Sequence, residues 1–365
     1  MTTMERGAFG PGPSTGSIVA AAVLLAIASV GCSSGSSKSA SRRAQSTTTA
    51  AVANPSATVA TGPRVIIDTD LSRWWDDATA IGIANVLQQQ RAANVLGIVS
   101  DVRNPVAVAA IDAIDTAYGH AELPLGAVAH SNADTAPHGY SDVLARRLPH
   151  TVRSSDDVPE AVALYSLMLA RQPDRSVTIV SLGAYTNLAG LIASHTGRAL
   201  VTAKVKRLVI MDGLFPAGVG PVANQKLDPS AARTVVAGRN GVAPWPTPIA
   251  WVDGLDGITT RVGGTLCATT PADNPMRIVY VNLFGCGPVP DGDWDAPALL
   301  FALGQVPHAF SVRGRGGAAV INGQGGLSWQ RASPRRQDFY VHVADQKGLN
   351  QRIERLLTTD VNGRR

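Results

Sequence analysis

Five short runs of almost unbroken apolar residues recur along the chain, at residues 65–67, 95–99, 177–180, 208–211 and 249–252. A strand with one face in water alternates polar and apolar residues, whereas a strand covered on both faces reads apolar throughout. Between the runs lie stretches with helical spacing, at 76–90, 159–171, 187–194, 229–237 and 296–303. In the first of these Ala80, Ile81, Ile83, Ala84 and Leu87 share one side. Alternation of this kind predicts an α/β fold, an open, mainly parallel, doubly wound sheet with helices on both faces. Hydrophobic residues make up 45% of the 365, enough for such a core, and 36 glycines and 23 prolines supply the turns.

Sheets of this type bind ligands at the carboxyl ends of their strands, and acidic residues gather there. Residues 65–67 run into Asp68-Thr69-Asp70, and a further turn delivers Asp76-Asp77 at a helix start. Asp68 and Asp70 are two apart and, in extended chain, point to the same side. Carboxylates this close repel one another in a confined site unless a cation offsets them. Oxygen donors with no nearby Cys or His select a hard cation such as Ca²⁺ or Mg²⁺. The competing reading has Asp76 capping a helix and Asp68 tying a loop together. Two more features fall at strand or helix ends: the turn Ser181 to Asn187, where Gly183 lets backbone approach a ligand, and Asp293-Trp294-Asp295 before an apolar helix.

The chain before residue 64 has a different character. Ser17 to Val30 is mostly apolar and ends at Gly31-Cys32. It is short for a membrane span and fits the apolar region of a signal peptide, 1–31. Ser-Val-Gly-Cys resembles a bacterial lipoprotein processing box, which makes Cys32 the lipidated first residue of an exported protein; secretion with an incidental Cys is the alternative. Residues 33–63 are small and polar and cannot bury enough apolar surface to offset chain entropy, so they read as a flexible tether. Residues 64–365 then form one α/β domain on the outer face of the cytoplasmic membrane, at the cell envelope. Cys267 and Cys286 are the other two cysteines. In an exported compartment they can pair, closing a loop of about 20 residues worth roughly 3 kcal/mol; otherwise they are two buried thiols. Net charge is +5, spread in short patches such as Arg335-Arg336 and Arg364-Arg365, which describes a solvated surface and no nucleic-acid partner.

Taken in order, the segments VIIDTDLSRWWDDATAIGIAN (65–85), LGIVSDVRNP (96–105), VTIVSLGAYTNLAGLI (177–192), LVIMDG (208–213), NQKLDPSAA (224–232) and DWDAPALLFAL (293–303) resemble the inosine-uridine preferring nucleoside hydrolase family, in its branch with a longer spacer between the acidic residues. The resemblance implies a Ca²⁺ site held by Asp70, Asp77, the Leu182 main-chain carbonyl and Asp295. It implies ribose contacts from Asp76 and Asn224, with Asn104 a third, and Asp70 as the base that takes a proton from water attacking the ribosyl carbon. The activity implied is Ca²⁺-dependent hydrolysis of ribonucleoside N-glycosidic bonds, through a cationic ribosyl transition state that carboxylates stabilise. Departures from the family pattern are Val222 where an acidic residue stands two before the sugar-binding Asn, a missing Gly-Asn pair in 211–224, Trp74 in the spacer, and Trp294 where some members carry a His that assists the leaving base. Trp294 cannot deliver a proton to a leaving pyrimidine, so purines, protonated from solvent at N7, are the expected substrates; its ring instead offers a face to stack on a nucleobase. The alternative is a non-catalytic ligand-binding lipoprotein with a degenerate pocket. A haloacid dehalogenase-type phosphotransferase also begins with Asp-x-Asp after a strand, but it leaves Asp76-Asp77, 182–187 and Asp295 unexplained. There is no GxSxG and no GxxxxGK[ST]. A homo-oligomer is left open.

Overall fold

Strands β1 (Arg64–Thr69), β2 (Asn94–Ser100), β3 (Leu125–Ala127), β4 (Val177–Ser181), β5 (Val205–Met211) and β6 (Ile249–Val252) form the parallel part of one sheet. In the computed structural model, residues 62–72, 74–130, 139–218, 220–331 and 337–361 are described. The expected signal peptide, the expected lipidation site Cys32 and the expected tether as far as residue 61 lie outside them. β7 (Phe310–Ile321), β8 (Leu327–Gln330) and β9 (Asp338–Val343) complete the order β3-β2-β1-β4-β5-β6-β9-β7-β8. β9 joins β6 in parallel, while β7 and β8 run antiparallel at the edge.

All five apolar runs are strands, and their side chains separate as the pleat requires. Val65 and Ile67 enter one core with Val180, Val209 and Val252; Ile66 enters the other with Ile179, Leu208, Ile210 and Trp251. Helices on both faces close both cores, so no strand of this group needs a polar face. The predicted helices appear as Asp76–Gln89, Ala161–Ala170, Thr186–Ala193, Pro229–Ala237 and Asp295–Ala302. The first is buried all round from Asp76 to Leu87 rather than along one side. It lies between the sheet and the helices Ala107–Ala117, Asp295–Ala302 and Gln346–Leu357.

Cys267 and Cys286 form a disulfide, with Cα atoms 5.6 Å apart. The bond ties the helix Leu266–Thr269 to the chain just after the helix Pro275–Phe284. Replacing both cysteines by Ser is expected to lower unfolding free energy by about 3 kcal/mol, read as the shift in a urea midpoint. Among the described residues no helix is long and apolar enough to cross a membrane.

Candidate active site

Four of the parallel strands deliver carboxylates at their carboxyl ends: Asp68 near the end of β1 and Asp70 just after it, Asp101 after β2, Asp212 after β5 and Asp253 after β6. The register places the first of them together, since Asp101 N donates to Thr69 O at 2.9 Å and Leu182 N to Asp68 O at 2.8 Å. Two helix starts add Asp76, Asp77 and Asp295, and one oxygen of each lies within 4.8 Å of the others. All of these carboxylates are buried, the most exposed being Asp76 at 5%.

A cavity of about 350 Å³ opens beside this cluster, within the range of small-molecule sites. Asp70, Asp76, Asp295, Leu182, Asn224 and Trp294 line it. Asp77 stands behind them: Thr69 Oγ1 donates to its Oδ1 in a very short hydrogen bond and Asp70 N donates to the same oxygen at 3.1 Å. Asn104 is not among the lining residues. Its side-chain oxygen accepts the Val106 amide at 2.9 Å, holding the turn into the helix Ala107–Ala117. Asp68 also differs from the open cluster that the sequence suggests. Tyr165 donates to its Oδ2 at 2.8 Å and Asn187 to its Oδ1 at 3.0 Å, so it ties β1 to two helices.

Burial is the largest cause of the raised pKa of every carboxyl in the group. It takes Asp77 to about 6 and Asp293 to about 7. For Asp70 the charges of Asp77 and Asp101 push further in the same direction; for Asp295 those of Asp76, Asp77 and Asp70 do so. Among the described residues, both oxygens of Asp70, Oδ2 of Asp77 and Oδ1 of Asp295 have no hydrogen-bond donor. Buried acceptors with nothing to accept are costly, and a divalent cation would offset that cost. The donors are oxygens only, which fits Ca²⁺ or Mg²⁺. The compact trio is Asp76, Asp77 and Asp295, so it differs by one member from the expected set of Asp70, Asp77 and Asp295.

Asn224 Nδ2 donates to the Leu182 carbonyl at 2.6 Å and to the Met211 carbonyl at 3.1 Å. That orients the amide and leaves the second lone pair of the Leu182 carbonyl for another partner. Trp294 donates its indole N–H to Gly254 O at 2.7 Å, and its backbone N–H to Asp76 Oδ2 at 3.0 Å. Val222 lines the cavity and brings no polar atom from its side chain.

Sequence pattern alone does not single out Asp101, Asp212 or Asp291. Asp212 and Asp291 line the cavity, and Asp101 packs beneath it. Asp101 and Asp212 carry one signal, an acidic residue immediately after an apolar run. Gly183 is required by this packing, because a Cβ there would sit 2.6 Å from Asp101 Oδ2 and 2.7 Å from the Asp70 amide nitrogen. Gly183→Ala is therefore expected to displace Asp70, costing about 1–3 kcal/mol of stability by thermal melting and about 10²-fold in turnover.

The family model described as inosine-uridine preferring nucleoside hydrolase matches residues 65–271. A curated relative, the pyrimidine-specific ribonucleoside hydrolase RihA of Shewanella sp. (strain ANA-3), is 45% identical over 21% of this chain and 25% of its own. The chain thus spans about a quarter of that relative's length. Among solved structures, the purine-preferring ribonucleoside hydrolase from Gardnerella vaginalis superposes with TM-score 0.62 at 16% identity, covering 82% of this chain and 99% of that one. The inosine-uridine preferring nucleoside hydrolase from Bacillus anthracis superposes with TM-score 0.60 at 15% identity, covering 81% and 99%.

Proposed function

Because the chain belongs to the inosine-uridine preferring nucleoside hydrolase family, we propose that it hydrolyses the N-glycosidic bond of ribonucleosides, purines in preference, in a Ca²⁺-dependent reaction. One observation supports this above the rest: Asp70, Asp77 and Asp295, from distant parts of the chain, bring unsatisfied carboxylate oxygens beside a nucleoside-sized cavity that Asp76 also lines. Asp70, Asp77, Asp295 and the Leu182 carbonyl would hold the cation, with Asp76 close enough to share in it. When bound, the cation supplies positive charge that offsets the carboxylates and orients water and sugar hydroxyl oxygens.

Asp70 takes the proton from water as it attacks the ribosyl carbon. Asp76 accepts from a ribose hydroxyl, and Asn224, its amide nitrogen committed to two carbonyls, offers its oxygen to another. The surrounding carboxylates stabilise positive charge that develops on the sugar. Trp294 has already given its N–H to Gly254, so it contributes ring surface, worth about 1–3 kcal/mol against a base, and no proton. Purines, which accept a proton from solvent at N7, leave without help. Val222 cannot accept from a 5′-hydroxyl, which lowers the preference for unmodified ribose.

The test is a panel of purine and pyrimidine ribonucleosides with Ca²⁺ and after chelation, free base followed by chromatography. Purine base release that chelation stops is the expected result. No release above background from any nucleoside favours the non-catalytic binding lipoprotein, for which Val222 and Trp294 already speak. Calorimetry on stripped protein checks the cation separately: Ca²⁺ should bind the parent and bind Asp295→Ala at least about tenfold more weakly.

The same proposal places the domain at the cell envelope, exported through residues 1–31 and anchored by lipid on Cys32. Cys32→Ala should move the protein from the membrane fraction to the soluble fraction. An unchanged partition rejects the anchor.

A further inference from the structure

Trp294 leans on a short piece of chain whose own anchor is a histidine that the reaction above does not use. The turn of helix Gly254–Gly257 comes directly after β6, and its first carbonyl, on Gly254, accepts the Trp294 indole N–H. Gly257 packs so closely on the indole that a Cβ there would collide with the ring. Asp253 caps this turn, its Oδ1 accepting Leu255 N at 2.8 Å and its Oδ2 accepting Phe215 N at 2.7 Å. Asp256, inside the turn, accepts Val343 N at 2.8 Å. Both carboxylates converge on His342 of β9, whose Nδ1 lies 3.7 Å from Asp253 Oδ2 and 3.6 Å from Asp256 Oδ2. β9 is the parallel neighbour of β6, which puts His342 at the same sheet edge as the cavity.

We propose that His342 is a positioning residue. As an imidazolium it clamps Asp253 and Asp256 together, fixes the turn at 254–257, and so sets the Trp294 wall against the bound base. Without that charge the two carboxylates face each other across the turn and the wall loosens. The proposal rests on the nucleoside reading only for the identity of what Trp294 touches. The groups that face the imidazole are Asp253 from the end of β6, Asp256 from the turn, and the Tyr340 ring from its own strand, with centroids 5.3 Å apart. On β7 its partner is the uncharged Ser311, with Arg313 opposite Tyr340. A charge on the imidazole is what the clamp needs, so pH is the lever that tests it.

The experiment reads the wall directly. Protein labelled with ¹⁵N-tryptophan is titrated from about pH 5 to 8, with the Trp294 indole signal assigned by its loss in Trp294→Phe. The parent signal should carry a titration that is missing from His342→Gln, which should resemble the parent at high pH, while His342→Lys, which keeps a charge, should resemble the parent at low pH. At the acid end of that range, with saturating Ca²⁺, His342→Gln should show a KM about three- to tenfold above the parent's, and at the alkaline end the two should agree. A Trp294 signal that titrates alike in parent and His342→Gln overturns the proposal. If no nucleoside releases base but the indole signal behaves as expected, the clamp stands and the reaction assignment falls.

Discussion

Replacing Asp70 by Asn is expected to reduce base release to background, a loss of about 10³-fold or more. The amide keeps the size of the carboxylate but cannot take a proton from water. Asp70 lines the cavity, is 1% exposed, and has no donor on either oxygen, so nothing else in the described structure occupies those lone pairs. The variant should nevertheless fold. Burial, then the charges of Asp77 and Asp101, disfavour the ionised Asp70 side chain, and a neutral amide removes that repulsion. The cation-free variant should therefore melt at or above the temperature of the cation-free parent. Lost activity with an unchanged or higher melting temperature identifies a catalytic base; activity within tenfold of the parent at saturating Ca²⁺ removes Asp70 from that role.

Much of this site is legible in the chain because the physics that builds it is local. Residues 65–67 and 177–180 must be strands buried on both faces, and a sheet made from such strands gathers the residues at their carboxyl ends along one edge. Asp70, Asp76 and Asp77 announce themselves by density, and Asp295 by its place before an apolar helix. Asp101 does not, since one Asp in a loop after β2 has many uses; only the β1–β2 register brings it beside Asp70 and under Gly183. Asn104 is a residue type suited to sugar binding whose oxygen also holds a turn, a use that the sequence does not reveal. β7 is hidden for another reason. Its run FSVRGRGGAAVI carries three glycines and two arginines and lies mostly half-exposed in the antiparallel part of the sheet, so it lacks the unbroken apolar pattern of the parallel strands. The orientation of Trp294 depends on Gly254 and Gly257, about forty residues away, and no periodicity could reveal it.

Removing the cation should invert the pH dependence of stability. Asp77 and Asp293 have folded-state pKa values of about 6 and about 7, raised first by burial from 3.8, and Asp70, Asp76 and Asp295 are raised as well. Between 3.8 and those values the folded cation-free protein holds protons that the unfolded chain has lost, so its stability falls as pH rises and the loss from these two groups is complete above about 7. Protons and cation compete for the same oxygens, so binding strengthens over the same interval. At a thousandfold excess over Kd the cation adds about 4 kcal/mol, which corresponds to roughly 8 °C or more in Tm. Melting curves at about pH 5, 6 and 7.5, each with Ca²⁺ and with chelator, should show a gap that opens with pH. It should open because the stripped curve falls while the loaded one holds or rises. A gap of constant size across that range would mean that these carboxylates do not release protons to a cation, and the site assignment would fail with it.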